Sequence, residues 1–145
     1  MSGAKVIVLD ANILIRAVLG QKVRNLILTH ASSVQFFAPD IAYADARNYL
    51  PPLLEKRGVA PDTVVTVLDR LESIVLPLDV TFYNSIRKEA LNRIAMRDAD
   101  DWPVLACAML LDCPVWTEDA DFFGTGVATW TSDRVALYLN TASKR

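Results

Sequence analysis

The stretch KVIVLDANILIRAVLG, Lys5 to Gly20, changes its period partway along. Lys5 to Leu9 is a β-branched run without polar alternation, as expected of a strand buried on both faces. From Ala11 the apolar residues recur at helical spacing until Gly20, a suitable helix end. Asp10 stands at the join. A strand running directly into a helix is the first half of a β-α-β unit, and the rest of the chain can be read outward from it.

After Gly20, QKVRNLILTHA reads as a second helix and VQFFAP as a second strand. PDIAYADARNYL and PPLLEKRG read as helix, with Pro51 and Pro52 expected to break or kink it and Gly58 to end it. PDTVVTVLDRLES opens with Pro61 and Asp62, a helix-start pattern. SIVLPL is a short third strand. DVTFYNSIRKEALNRIAMR predicts an amphipathic helix with Phe82, Ile86, Ala90, Leu91 and Ile94 on one stripe. DWPVLACAMLL is apolar nearly all round and predicts a buried helix. CPVWT and VATWT are the fourth and fifth strands, and SDRVALYLNTA is a closing helix with Ser132 as its cap. Strands alternating with helices imply parallel pairing, so the expected fold is a three-layer α/β/α sandwich with a central parallel sheet of about five strands. No repeat or linker interrupts residues 1–145, which read as one domain.

Half of the 145 residues are apolar and 22% are charged, a globular composition. No apolar run is long enough to span a bilayer and Asp10 interrupts the N-terminal one, so no membrane association is expected and cytoplasm is the default location. Cys107 and Cys113 have neither zinc nor disulfide-framework spacing and read as buried thiols. The single histidine, His30, sits in a polar setting and reads as a surface residue, which disfavours Ser-His-Asp chemistry. A net charge of −2 argues against gripping nucleic acid through the overall field.

The charge distribution is more telling. Between Asp98 and Asp121 lie seven acidic residues, and no Lys or Arg occurs from there until Arg134. Ligands of open α/β sheets bind outside the carboxyl ends of the strands, where Asp10 ends strand one and Asp119 follows strand four. Asp101 opens the buried helix, and Asp45 lies on the helix after strand two. Capping and the helix dipole explain some of Asp98, Asp100 and Asp101, but not Asp119 and Asp121. Carboxylates brought together repel, and either protonation or a hard divalent cation relieves them. All-oxygen ligation suits Mg²⁺ or Mn²⁺ and not zinc.

IVLDANILIRAVL resembles the first motif of PIN-domain proteins, an apolar strand ending in Asp-x-Asn before a helix. DADDWPVLACAMLLDCPVWTEDADFFGTGVATW resembles their C-terminal half, and the likeness covers essentially the whole chain. The group it looks most like is the VapC-type toxin ribonucleases of prokaryotic toxin–antitoxin pairs. The resemblance implies a metal-dependent endoribonuclease with catalytic, metal-holding acids at Asp10, Asp45, Asp101 and Asp119. Asp101 matches because the small Ala106 follows five residues later, and Asp119 matches within the Thr117-Glu118-Asp119 triplet. Asp121 falls on a further metal-side acid before Phe122. Asn12, Thr117 and Asp98 stand beside these acids and are expected to support them. At Asp45 the family usually has Glu, so this chain departs by one methylene.

For the RNA substrate, Arg93 and Arg97 share a helix face and Arg16 lies on the first helix; the competing reading of the former pair is a solvated face with Glu89 paired to Arg93. Tyr43, Tyr49, Leu50, Leu53 and Leu54 are the expected groove for a small antitoxin protein, or else core packing. The resemblance also implies a homodimer. Alternatives are a non-catalytic PIN-like module binding RNA or protein, favoured by Asp45, and an RNA-maturation PIN nuclease without an antitoxin. An aspartate phosphatase would want a second Asp at position 12, which is Asn, and a receiver domain a Lys after its last strand, where none stands.

Overall fold

The structure, a computed structural model, describes residues 5–60, 62–94 and 96–140. Its strands are β1 (Lys5–Leu9), β2 (Val34–Pro39), β3 (Val75–Leu78), β4 (Val115–Trp116) and β5 (Thr129–Trp130). They form one parallel sheet in the order β3-β2-β1-β4-β5. The helices are α1 (Ala11–Leu19), α2 (Gln21–Thr29), α3 (Asp40–Lys56), α4 (Asp62–Leu71), α5 (Val80–Tyr83), α6 (Arg87–Ile94), α7 (Trp102–Leu111) and α8 (Val135–Asn140).

Side-chain alternation along the strands explains the three layers. Ile7 and Leu9 of β1, Val34, Phe36 and Ala38 of β2 and Trp116 of β4 face a core shared with α1–α4 and α8. Val8, Phe37 and Val115 face the opposite core, filled by α5, α6 and α7. A strand with a helical layer on each side has no polar face to offer, hence the unbroken run in β1. Pro103 to Ala108 of α7 are all buried. This helix ends at Asp112, whose φ of 53° is left-handed, a conformation Asp tolerates better than most residues.

Four expectations need correction. Pro51 and Pro52 lie inside α3, which runs unbroken through them to Lys56. Ala42, Tyr43, Ala46, Leu50 and Leu54 are buried on both sides of the pair, and this packing offsets the lost backbone bonds. The helix then ends on Gly58, at φ 72°, with Val59 N–H donating to the Leu54 carbonyl. The predicted amphipathic helix is divided by a 3₁₀ turn at Asn84–Ile86. With three residues per turn there, the stripe changes phase: Tyr83 is buried and Phe82 exposed. His30 is 9% exposed, its ring bonded to the Leu26 carbonyl and to Asn140 Oδ1, tying α2 to α8. Ser132 does not cap α8; its hydroxyl accepts from the Trp116 indole N–H and its backbone N–H donates to Glu118. The Pro61 helix start lies outside the described residues. Cys107 is buried and Cys113 half-buried, both as free thiols. Among the described residues no helix is long and apolar enough to cross a membrane.

Candidate metal centre at the carboxyl edge of the sheet

The strand order reverses between β1 and β4, so the crevice of this sheet opens where those two strands end. Asp10 follows β1. Its backbone N–H donates to the Trp116 carbonyl, continuing the pairing, and its side chain then caps α1 by accepting the Ala11 N–H at 2.7 Å. The other oxygen, Oδ2, accepts from the Thr117 hydroxyl at 2.8 Å and the Asn12 amide at 3.1 Å. Asn12 also accepts the Glu118 N–H, and Thr117 accepts the Asp119 N–H at 2.9 Å. Asn12 and Thr117 thus lock the exits of β1 and β4 together and aim their acids.

The remaining acids arrive on two short 3₁₀ turns. Asp98 caps the turn Ala99–Asp101 by accepting the Asp100 N–H, and Asp119 caps Ala120–Phe122 by accepting the Asp121 N–H. The first turn folds back over the sheet edge and delivers Asp101. Carboxylate oxygens of Asp10, Asp101 and Asp119 lie within 4.8 Å of one another, and so do those of Asp98, Asp101 and Asp121. Asp101 belongs to both groups.

The electrostatic consequence is visible at Asp10 and Asp101. Burial, opposed in part by Thr117 and Ala11, raises the Asp10 carboxyl above its usual range, and Asp119 and Asp45 add to the rise. Asp101 is pushed up to about 8, by burial first and then by Asp10 and Asp119. Its Oδ2 is buried and has no hydrogen-bond partner. A buried, unpartnered carboxylate oxygen is costly. A proton shared with Asp119 satisfies it, and so does a cation. Three converging carboxylates with one orphaned oxygen fit a hard divalent ion, since such ions take oxygen ligands.

Asp45 stands apart. It is half-buried on α3 and belongs to neither carboxylate group among the described residues. Burial and Asp100 nevertheless raise it, and it acts in turn on Asp10. It borders a cleft of about 820 Å³ with Asp40, Tyr49, Tyr83, Asp100, Asp101 and Trp102. Sequence reading missed Asp40, which ends β2 as Asp10 ends β1. Its oxygens are taken by Ile41, Val80 and the Tyr83 hydroxyl, so it joins α3 to α5.

Arg93 and Arg97 do not project freely. Arg93 pairs with Glu89 and donates to the Thr125 carbonyl at 3.2 Å. Arg97 lies against Gly124, where an added Cβ would sit 2.9 Å from its guanidinium. Gly124 and Gly126 have φ of 84° and 88°, which keeps the loop after Asp121 close under both arginines. Arg16 is exposed on α1. Of the expected groove, Tyr43, Leu50 and Leu54 are core residues, with the Tyr43 hydroxyl donating to the Val75 carbonyl. Only Tyr49, 63% exposed, and Leu53, 40% exposed, face outward, because helical spacing points the other three at the sheet.

The family model for the PIN domain matches residues 8–140. No curated protein matches the chain in sequence. Among solved structures, VapBC2 from Rickettsia felis, bound to a DNA fragment from its promoter, contains a chain with a TM-score of 0.62 and 14% identity. The match covers 87% of this chain and 98% of that one. FitAB bound to an IR36 DNA fragment gives a TM-score of 0.62 at 21% identity, over 87% of this chain and 94% of the other. At such identities these two likenesses speak for the fold.

Proposed function

The chain belongs to the PIN-domain family of nucleases, and on that premise we propose that it is a metal-dependent endoribonuclease. The observation that carries this reading is the convergence of Asp10, Asp101 and Asp119 within 4.8 Å, with Asp101 Oδ2 buried and unpartnered. Mg²⁺ or Mn²⁺ is the proposed cofactor. Asp10, Asp101 and Asp119 would hold it, with Asp98 and Asp121 available on the far side of Asp101. When bound, such an ion lowers the pKa of its water and offsets charge developing on a phosphoryl group.

The protein's own part is positioning. Thr117, Asn12 and the Ala11 N–H fix the Asp10 carboxylate before any ligand arrives, so its geometry is set in advance. The Asp98 and Asp119 caps do the same for the turns carrying Asp101 and Asp121. Asp45, across the crevice, would orient the attacking water or accept its proton. In-line phosphoryl transfer depends on such placement more than on a side-chain nucleophile.

We assign the protein to the toxin side of a toxin–antitoxin pair, acting as a homodimer in the cytoplasm. The likeness to chains of VapBC2 and FitAB supports this assignment. Tyr49 and Leu53 are the outward apolar residues of the proposed antitoxin surface. The position of Asp45 outside both carboxylate groups favours a second reading, an inert PIN module that binds without cutting. Calorimetry with Mn²⁺ and a cleavage assay on single-stranded RNA separate them. Uptake of Mn²⁺ and metal-dependent cleavage are expected; neither in folded protein would leave the inert module.

A further inference from the structure

At the far end of α1 the charge is reversed. A cleft of about 390 Å³ is lined by Arg16, Leu19, Gly20, Lys22, Val23 and Arg57, three cations and no carboxylate. All three cationic residues are exposed, and none forms an ion pair among the described residues. Asp133 feels Lys22 from the neighbouring cleft between α2 and α8 and is itself bonded to Thr131. Like charges gathered round one concavity repel unless an anion enters it.

Ordinary helix electrostatics accounts for part of this arrangement. Arg16 lies in the last turn of α1 and Arg57 at the end of α3, where the dipole favours a cation. Lys22 has no such explanation. It sits in the first turn of α2, where the dipole disfavours it, beside the cap residue Gly20, which offers no side-chain acceptor. No acidic residue occupies that turn. The positive end of α2 therefore adds to the three side chains, and the lining of the cleft holds no carboxylate to balance the sum.

We propose that this cleft binds a phosphate group of single-stranded RNA, away from the bond that is cut. It is joined to the acidic edge by α1, whose nine residues span about 13 Å. That distance lets one strand occupy both places. The choice of RNA rests on the nuclease reading above; the anion site itself rests on the charges of the cleft.

The test is equilibrium binding of a short single-stranded RNA to the full chain in metal-free buffer, where no cleavage occurs, across a range of NaCl concentrations. Replacing Arg16, Lys22 and Arg57 together with Gln should make the salt slope shallower by roughly 0.7, the share of the one phosphate no longer neutralised. An unchanged slope overturns the site. The same change on duplex DNA of equal length overturns the assignment to the single strand. Gly20→Asp tests the cleft independently. Gly20 has an extended φ of −136° and an added Cβ would lie 3.6 Å from the Arg16 carbonyl, so the side chain fits and caps α2. Inorganic phosphate should shift the amide resonances of Gln21, Lys22 and Val23 in the wild type and leave them in place in Gly20→Asp. Unshifted wild-type amides overturn the proposal. If wild type never cuts RNA yet binds it through these three cations, the nuclease reading fails and the phosphate site stands.

Discussion

Arg47, on α3, reaches both Asp69 and Glu72 from the neighbouring α4 region, and those two acids share its positive charge. At the carboxyl edge of the sheet, Asp10, Asp101 and Asp119 converge within 4.8 Å and pair with no cation among the described residues. The chain therefore has the means to pair clustered carboxylates with a cation and does not use them at the edge. Arg97 stands directly before the acidic stretch, yet its guanidinium lies against the Gly124 loop. Repulsion is retained where a ligand can relieve it. Such sites exchange stability for function.

The severest test of that contrast is Asp10→Asn. The amide oxygen can still cap α1 and the amide N–H can donate to the Thr117 hydroxyl oxygen, with only the Asn12 bond lost. Melting should therefore fall only slightly while RNA cleavage falls by at least about a hundredfold, more than loss of a supporting residue alone would cost. Circular dichroism and a single-turnover assay read the two. Wild-type cleavage in this variant would remove Asp10 from the chemistry.

Asp101→Asn tests the retained repulsion directly. In chelator the variant should be more stable than wild type by about 0.5–2 kcal/mol, the usual gain from relieving a strained functional site. With Mn²⁺ the order should reverse, since only wild type gains from binding. Because the folded-state pKa of Asp101 is raised from 3.8 to about 8, the folded state binds the proton more tightly than the unfolded chain. Its stabilising contribution is complete below the ordinary carboxylate range and is lost as pH rises through about 8. Chemical denaturation of metal-free protein between pH 4 and 9 should show that decline, and Asp101→Asn should flatten it. A variant less stable than wild type in chelator would mean that the edge is not under charge strain.

Much of this architecture was legible in the order of residues. The unbroken apolar run of β1, the change of period at Asp10 and the helical stretch Trp102–Leu111 gave the sheet, its two covered faces and the joint at which Asp10 and Asp119 meet. The edge acids were legible because each stands at a strand end or helix start, where topology dictates position. Residues on helix faces were harder. Tyr43, Leu50 and Leu54 could not be told from a groove, since an apolar stripe looks the same whether it faces a core or a partner. His30 read as exposed because its partner Asn140 is 110 residues away. The 3₁₀ turn at Asn84–Ile86 falls on Asn84 and Ser85, weak helix formers whose signal the apolar stripe around them masked. Lys22 and Arg57 come together through the tertiary fold, with no local pattern announcing them.

Asp45→Glu sharpens the comparison at its boundary. Asp45 influences Asp10 without joining either carboxylate group, so one extra methylene should extend it toward the centre. Mn²⁺ affinity should rise a few-fold by calorimetry, with cleavage equal to wild type or faster. If affinity and cleavage are both unchanged, Asp45 is a solvated helix residue and the site is complete without it. Loss of cleavage in folded protein would show that the shorter side chain is required.

The smallest effect is expected on the paired side. Arg47→Ala leaves Asp69 and Glu72 without their cation, but their side chains are 61% and 35% exposed and water can replace it. Pairs of this kind contribute roughly 0.2–1 kcal/mol, so the melting temperature should fall by only a few degrees. That loss should disappear in about 1 M salt, where charges more than roughly 3 Å apart in solvent are screened. The gain from Asp101→Asn in chelator should persist under the same salt, because burial limits screening at the edge. The contrast between the regions is therefore a contrast in dielectric as well as in pairing. If salt abolishes both effects equally, the edge is as open to solvent as the Arg47 pairs, and its crowded carboxylates do not need a cation to coexist.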